Sequence, residues 1–436
     1  LGYLGLSSEP AGGPSNFDPR ELIGKDGVER VFNDALRGET GIRIEEVDVT
    51  GAIKSEYLSR SPRVGENLTL AIDARLQEKL YNSIQSLAAD RAFSGGAAVL
   101  LDVKTGELVA LVSYPEYDSN LITRGADREQ INQLLNDPNK PFLNRAVAGL
   151  YTPGSIIKPI IAVGALNEKI IDPAAEILST GALTLPNPFV PDQPSIFPDW
   201  KAHGLLNMRR ALAVSSNVYF YEIGGGFEDQ RGLGIVNINK YARLFGLGSA
   251  TGINWSQEAV GNIPTPEWKA KNFPDDPIWR IGDTYHTAIG QYGVLVTPLQ
   301  MARVAGAIAT SGTLVTPTIL AASTTPIQTP SRTLADQISP DSFQIIREGL
   351  RLAVLEGTAK GLNISNVAVA AKTGTAELGG IKGDVNSWVI GFFPYGQPRF
   401  AFAVVMEQGR RENTIGGVFI MRQLFDWLTT NAPEYL

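Results

Sequence analysis

Ser155 and Lys158 are the residues whose types and spacing first point to chemistry in this sequence. They follow a turn at Pro153-Gly154 and open an apolar run that predicts a buried helix. Residues three apart lie on one helical face, so the lysine amine can reach the serine hydroxyl. The first helical turn also offers unpartnered N–H groups to negative charge. These are the parts of an activated serine, although an ordinary helix start is the commoner meaning of such a pair.

The scarcity of other reactive side chains gives this pair more weight. Cysteine is absent, and the only histidines are His203 and His286. A disulfide framework, a thiol nucleophile and a thiolate zinc site are therefore excluded. An enzyme with this inventory would more naturally use a lysine or a carboxylate as its base.

Composition limits the class of protein further. The chain has 436 residues, of which 43% are hydrophobic and 19% charged, as in a soluble globular protein of two or three domains. A net charge of −7 and a pI near 5.2 argue against a nucleic-acid partner. No apolar run approaches the ~18–20 residues that cross a bilayer. The chain begins at Leu1 rather than Met and shows no signal-peptide pattern, so the removal of an N-terminal piece, with or without a membrane anchor, stays open.

Two further motifs can join the serine and lysine. Ser215-x-Asn217 interrupts two helical runs, and Lys372-Thr-Gly-Thr375 lies on an apolar strand. Alone, the first is usually helix capping and the second a strand end with a turn. Together with Ser155-x-x-Lys158 they form a known catalytic set, with each motif in the structural context that the set requires.

The elements that must position these motifs predict an α/β (α+β) fold. A helix capped by Asp73 precedes a hairpin of two apolar strands, and three more strands come in the last hundred residues. We expect one mixed antiparallel sheet flanked by helices, in a main domain over residues 67–436. Residues 1–66 are expected to form a small accessory domain. The predicted strands are 41–48, 50–55, 68–72, 97–103, 107–113, 367–375, 387–393 and 399–407.

The remaining segments are assigned to helices and loops. Predicted loops are 180–200 and 257–288, with a linker over about 323–340 and a loop with one short helix over 114–150. Thr297 is the expected N-cap of a helix that has proline at its first position. The predicted helices are 22–38, 73–88, 208–214, 218–223, 297–311, 341–355 and 418–428.

In this combination of motifs the sequence resembles the penicillin-binding proteins and serine β-lactamases. More narrowly, it resembles the class B penicillin-binding proteins, which are peptidoglycan transpeptidases. The segments that carry this resemblance are 24–29 and 36–38 in the first, pedestal domain, and 144–146, 372–377 and 387–392 in the main domain. Segments 251–253, 264–268 and 279–284 look like the elongation branch, penicillin-binding protein 2.

The resemblance implies a role for each motif residue. Ser155 would attack the carbonyl between the terminal D-alanines of a peptidoglycan stem peptide, with Lys158 as a neutral base. Ser215 would relay the proton to the leaving D-alanine, and Asn217 would bind the substrate backbone. The N–H groups of Ser155 and Thr375 would form the oxyanion hole. Residues Lys372, Thr373, Gly374 and Thr375 would hold the terminal carboxylate and the extended substrate.

Two features depart from the family pattern. The family usually has Gly-Gln-Gly-Tyr where this chain has Gly290-Gln-Tyr-Gly293, an exchange expected to reshape one loop. Some elongation-type relatives bind zinc through Asp, His and Cys. Here Asp199 and His203 are present without a cysteine, and two ligands are too few for structural zinc. We therefore expect no metal and no cofactor, and a surface hydrogen bond between these two residues.

The resemblance also implies partners and a location. We expect stem peptides as substrates, covalent inhibition by β-lactam antibiotics, a membrane glycan polymerase as partner, and no nucleic acid. The catalytic domain would be extracytoplasmic and held at the cell membrane by a single N-terminal anchor. Two alternatives remain: a β-lactamase or D,D-carboxypeptidase on the same fold, and a non-catalytic β-lactam sensor.

Overall fold

The computed structural model describes residues 1–7, 22–187, 192–255, 257–322, 331–379 and 383–436. The described helices are α1 Gly27–Val31, α2 Asn33–Arg37, α3 Ala74–Arg91, α4 Ser119–Arg124, α5 Arg128–Leu135, α6 Lys158–Asn167, α7 Met208–Val214, α8 Asn217–Gly225, α9 Gly234–Leu244, α10 Pro266–Asn272, α11 Ile281–Ala288, α12 Pro298–Ala309, α13 Pro340–Leu355 and α14 Gly417–Asn431. Single 3₁₀ turns span Gly154–Ile157, Lys360–Leu362 and Pro433–Tyr435.

The described strands pair in antiparallel fashion. They are β1 Leu4–Leu6, β2 Leu22–Gly24, β3 Ile42–Val47, β4 Ile53–Arg60, β5 Gly95–Asp102, β6 Leu108–Tyr114, β7 Ile177–Ser179, β8 Ala182–Leu185, β9 Ser195–Pro198, β10 Gly204–Leu206, β11 Thr313–Val315, β12 Ser331–Thr333, β13 Ala370–Glu377, β14 Val385–Phe393 and β15 Phe400–Gly409.

The central element is a five-stranded sheet in the order β13-β14-β15-β5-β6. The early hairpin and the three late strands thus join in one antiparallel sheet, as the sequence predicted. Alternate residues of a strand point to opposite faces, and β15 is apolar at both sets of positions. Ala401, Ala403 and Val405 face one buried cluster, whereas Phe402 and Val404 face the other.

Helices cover both faces of this sheet. The first cluster includes α6, α8 and α12, and the second includes α3 and α14. Asp73 caps α3 by accepting a hydrogen bond from the Arg75 N–H at 2.9 Å, as expected. Thr297 caps α12 in a reciprocal capping box with Gln300. The predicted fold of a sheet between helical layers is confirmed.

The N-terminal region differs from its prediction in detail. The single helix expected over 22–38 is instead strand β2 followed by two short helices that meet at Phe32. The strand expected over 41–48 is found as β3, whereas the one expected over 50–55 begins only at Ile53, after a turn, and continues to Arg60 as β4. The strand expected over 68–72 is wrong, because this segment makes only a single bridge, between Leu70 and Leu320. The Tyr117 hydroxyl donates a hydrogen bond to Asp26 at 2.7 Å, so this region contacts the segment after β6.

Three predicted loop regions contain regular structure. Residues 180–200 include the hairpin β8–β9, residues 114–150 contain the two helices α4 and α5, and residues 257–288 contain α10 and α11. Helices α10 and α11 were missed because each has at most eight residues and little periodicity. Residues 323–330 of the predicted linker lie outside the described residues. Among the residues the structure describes, no helix is long and apolar enough to cross a membrane.

Candidate active site

Ser155 lies in a 3₁₀ turn that runs directly into α6, whose first residue is Lys158. The turn begins at Gly154, which has a φ of +56°. A Cβ atom there would lie 3.0 Å from the Thr375 carbonyl oxygen, so only glycine suits both the dihedral angle and the contact. The Gly154 N–H donates to the Gly290 oxygen at 2.9 Å. Through Gly154 the serine turn therefore contacts both strand β13, which carries Lys372 to Thr375, and the 290–293 loop.

Lys158 is fully buried beneath the serine. Its Nζ atom donates to the Ser215 carbonyl and to Asn217 Oδ1, both at 2.8 Å, and lies 3.4 Å from Ser215 Oγ. Burial lowers the pKa of Lys158 from 10.5 to about 7, although the negative charge of Asp199 opposes the shift. Within the described residues the amine thus bonds the second motif rather than the Ser155 hydroxyl.

Lys372 approaches Ser215 from strand β13. Its Nζ donates to Ser215 Oγ at 2.7 Å and to the Thr373 carbonyl at 2.9 Å, and its side chain is fully buried. Burial and then the charge of Lys158 hold the pKa of Lys372 well below its usual value. Two ammonium groups this close in a buried site repel each other, so double protonation is disfavoured.

The second motif is shaped by a helix break. Ser215 ends α7 in the left-handed region, with a φ of +61°, and Ser216 caps α8. This conformation brings the Ser215 carbonyl and hydroxyl and the Asn217 amide towards Lys158. The three motifs that the sequence singled out therefore meet, with Ser215 between the two lysines.

Asp199 stabilises the break between α7 and α8. Its Oδ2 accepts hydrogen bonds from Ser216 Oγ at 2.6 Å and from the Val218 N–H at 3.1 Å. His203 Nε2 lies 3.8 Å from Asp199 Oδ1, and both side chains are almost completely buried. The expected surface hydrogen bond is wrong, because the pair is buried and 3.8 Å is too long.

The same residues do not fit a zinc site. Asp199 Oδ2 already accepts hydrogen bonds from protein donors, and in the described part of the chain only His203 lies beside it as a second side chain that could bind a metal. Among the described residues there is no group of three or more His, Cys, Asp or Glu side chains that could hold a metal ion. We therefore assign no catalytic step to a metal.

The third motif lies on an edge strand. Strand β13 carries Lys372, Thr373, Gly374 and Thr375, and within the sheet it pairs only with β14. A Cβ atom at Gly374 would lie 2.8 Å from the Pro153 carbonyl oxygen. Close packing against the serine turn therefore requires glycine at this position.

A cleft of about 890 Å³ opens over these residues. It is lined by Ser155, Ser215, Asn217, Thr373, Gly374 and Thr375 from the motifs, whereas both lysines lie beneath it. The sequence did not single out Thr358, whose hydroxyl oxygen accepts a 2.6 Å hydrogen bond from Thr373. It also missed the role of Trp388, whose indole N–H donates to the Thr152 carbonyl at 3.0 Å and braces the serine turn.

Comparison with known families agrees with this architecture. The family described as Penicillin binding protein transpeptidase domain matches residues 96–419. The family described as Penicillin-binding Protein dimerisation domain matches residues 1–70.

Individual relatives extend the comparison. The chain is 32% identical over 435 residues to the peptidoglycan D,D-transpeptidase MrdA of Escherichia coli K12, covering 94% of this chain and 65% of MrdA. The chain thus spans less than two thirds of the length of this relative. A complex of the penicillin-binding protein PBP2 with MreC from Helicobacter pylori aligns over all of this chain and 77% of that one, with a TM-score of 0.83 and 28% identity. A structure of a peptidoglycan synthase complex that coordinates polymerization and crosslinking aligns over 94% of this chain and 70% of that one, with a TM-score of 0.80 and 30% identity. With a sheet between helical layers and a transpeptidase-domain match over most of its length, the chain belongs to the penicillin-binding protein family.

Proposed function

We propose that this protein is a peptidoglycan D,D-transpeptidase of the elongation type, which cross-links stem peptides through an acyl-enzyme on Ser155. The observation that carries the proposal is the meeting of two buried lysines at Ser215. Lys158 and Lys372 both bond this residue, and Lys158 also bonds Asn217. The similarity to a named D,D-transpeptidase supports the same reaction and does not favour a β-lactamase.

In the acylation step, Ser155 Oγ attacks the carbonyl carbon between the two terminal D-alanines. The hydroxyl proton passes to the Lys158 amine, and the oxyanion is held by the N–H groups of Ser155 and Thr375. Ser215 then relays this proton, taking it from Lys158 and giving its own to the departing D-alanine nitrogen as the C–N bond breaks. The product is an ester of Ser155 and free D-alanine.

The hydrogen bonds of Lys158 suit a neutral base. A neutral amine has two N–H groups and one lone pair, and two acceptors lie 2.8 Å from Nζ. Once both N–H groups are used, the lone pair remains for a proton. A substrate carboxylate beside Lys372 would favour the ammonium form of Lys372, and that charge would in turn keep Lys158 neutral.

The substrate is expected to lie along β13. Lys372, Thr373 and Thr375 would hold its terminal carboxylate, and the free edge of the strand offers backbone groups for pairing. The Thr373 hydroxyl, which donates to Thr358 at 2.6 Å, would turn its proton to the carboxylate when the substrate binds. Asn217 would bind the substrate backbone from the other side.

In the second half-reaction, the amine of another stem peptide attacks the ester carbonyl. A C–N bond forms, the bond to Ser155 Oγ breaks, and the proton of the amine returns to the serine through Lys158. The net result is one new peptide cross-link and one released D-alanine.

The domain division, partner and location belong to the same proposal. We assign residues 1–66 to a pedestal domain and residues 67–436 to the transpeptidase domain. The protein would act at the outer side of the cell membrane, through an N-terminal anchor and with a membrane glycan polymerase. Support comes from the relative solved within a peptidoglycan synthase complex and from the one bound to MreC.

Labelling with a fluorescent penicillin tests the proposal. The wild-type protein should form a stable covalent adduct, and Ser155→Ala should form none. Ser365→Ala is the matched control, since Ser365 is an exposed serine outside the cleft, and it should label like wild type. Labelling of Ser155→Ala, or no labelling of the wild type, contradicts the assignment. Rapid turnover of the antibiotic would instead support a β-lactamase.

A further inference from the structure

Tyr292 has a backbone conformation that an aromatic residue rarely adopts. Its φ is +54°, in the left-handed region that favours glycine. It belongs to the Gly290-Gln-Tyr-Gly293 loop, in which the family pattern has glycine at this position. Strained residues of this kind persist where the surrounding structure enforces them, and they cluster at functional sites.

Two close contacts hold the loop in this conformation. A Cβ atom on Gly290 would lie 2.2 Å from the Gly154 oxygen, beside the nucleophile. A Cβ atom on Gly293 would lie 2.3 Å from Cη2 of Trp268. Because both ends of the loop are packed this tightly, the direction of the Tyr292 side chain is fixed.

The Tyr292 ring belongs to an aromatic cluster with Trp268, Phe273 and Trp279. Phe273 stacks on it at 6.1 Å and 14°, and the Trp268 and Trp279 rings meet it edge-on at 6.1 and 5.8 Å. The Lys269 ammonium lies 5.7 Å from the ring centre and also interacts with the polar end of the Tyr292 side chain.

The charge of Lys269 is balanced next to the cluster. Its Nζ lies 2.7 Å from Asp283 and 3.5 Å from Asp276, so two carboxylates offset it. The aromatic cluster therefore presents an apolar, electron-rich surface with little net charge.

The position of Tyr292 in the cleft suits a second peptide. Tyr292 and Gln291 line the same cleft as Ser155, on the side of helix α11. Thr373 and Thr375 line the side of the sheet, where the proposed function seats the donor peptide. A transpeptidase must also seat an acceptor, and the sheet side is then occupied.

We propose that Tyr292, the member of its aromatic cluster that lines the cleft, forms part of the acceptor subsite and packs against the aliphatic stem of the second stem peptide. The ring offers an apolar surface to this stem, while the attacking amine stays neutral and reaches the ester of Ser155. This inference rests on the proposed function and makes Tyr292 a specificity-determining residue for the transfer step.

The experiment compares transfer with acylation in the same protein. A soluble stem pentapeptide serves as donor and a stem peptide with a free side-chain amine as acceptor, and mass spectrometry gives the ratio of cross-linked to hydrolysed product. Acylation is measured separately with fluorescent penicillin. Tyr292→Gly should lower the product ratio about tenfold more than it lowers acylation, and Tyr292→Phe should restore most of the ratio.

Two controls separate loss of the ring from a general defect of folding. Glycine adopts the left-handed region freely, which offsets part of the packing lost with the ring, so Tyr292→Gly should keep a cooperative melting transition and penicillin acylation while transfer falls. Ser311→Gly relieves a similar φ of +56° at a residue outside the cleft, and it should leave the product ratio unchanged.

The possible results distinguish this inference from the proposed function. If wild type is never acylated, the proposed function fails first. If wild type is acylated and Tyr292→Gly keeps the wild-type product ratio, the acceptor subsite is wrong. If acylation and transfer fall together, the ring serves the donor and the inference is overturned.

Discussion

The pH dependence of acylation is the most direct test of Lys158 as a neutral base. An ordinary lysine has a pKa near 10.5 and would be almost entirely protonated at pH 7. Burial lowers the pKa of Lys158 to about 7, so close to half of the free enzyme would hold the neutral amine at neutral pH. This shift corresponds to about 5 kcal/mol of preference for the neutral form.

The direction of the pH effect follows from the base role. Only neutral Lys158 can take the Ser155 proton, so the acylation rate should rise with pH and level off above the pKa. With a pKa of about 7, the rate at pH 6 should be roughly a tenth of the plateau and at pH 8 roughly nine tenths. An unperturbed lysine would instead give a rate that still rises steeply at pH 9.

Second-order acylation rates with fluorescent penicillin, measured from pH 5.5 to 9, report the pKa of the free enzyme. Lys158→Met should remove acylation across the range, and Lys104→Met, at an exposed lysine, should keep the wild-type profile. Circular dichroism at each pH checks that the fold is intact. A flat profile, or a midpoint near 10, would refute the neutral base.

Two other substitutions probe the surroundings of the site. Asp199→Asn removes the charge that raises the pKa of Lys158, so the acylation midpoint should move to lower pH; a midpoint unchanged or moved upward would contradict this. Gly374→Ala adds a Cβ atom 2.8 Å from the Pro153 oxygen and should slow penicillin acylation about a hundredfold by displacing the serine turn. Gly396→Ala, where no atom lies within 4 Å, is the matched control and should stay within about twofold of wild type. Equal acylation rates for the two alanine variants would contradict this, because they would show that the serine turn can shift without loss of activity.

Much of the fold was predictable because its signals are local. The apolar runs of the central strands, the caps of α3 and α12, and the break between α7 and α8 are all visible within a few residues. Helix α9 was missed although it has eleven residues and buries Ile238, Tyr241 and Ala242 on one face, but the other missed elements lack such signals. Helix α10 has seven residues and begins at a proline, and β8 and β9 have four residues each, too few to show a period.

The residues of the proposed catalytic set could be singled out from the sequence by type, but their hydrogen bonds could not. Spacing predicted that the Lys158 amine reaches the Ser155 hydroxyl, whereas its hydrogen bonds in the described structure go to the second motif. It does not reveal that the Lys158 amine bonds Ser215 and Asn217, because those bonds span 57 and 59 residues and depend on a left-handed serine. Asp199 was noticed for the wrong reason, as a remnant of a metal site rather than as a support for the second motif.

Three glycines of the site make close backbone contacts that could not be predicted from the sequence. Gly154, Gly290 and Gly374 each look like an ordinary turn or strand end. In the structure, a Cβ atom at any of them would meet backbone oxygen of another segment of the site. The serine turn, strand β13 and the 290–293 loop are therefore in direct backbone contact, with no side chain between them that could move to accommodate a shift. A shift of one segment therefore moves the others. This contact fixes the position of the strained Tyr292, in the 290–293 loop, relative to Ser155, which lies 137 residues earlier in the chain.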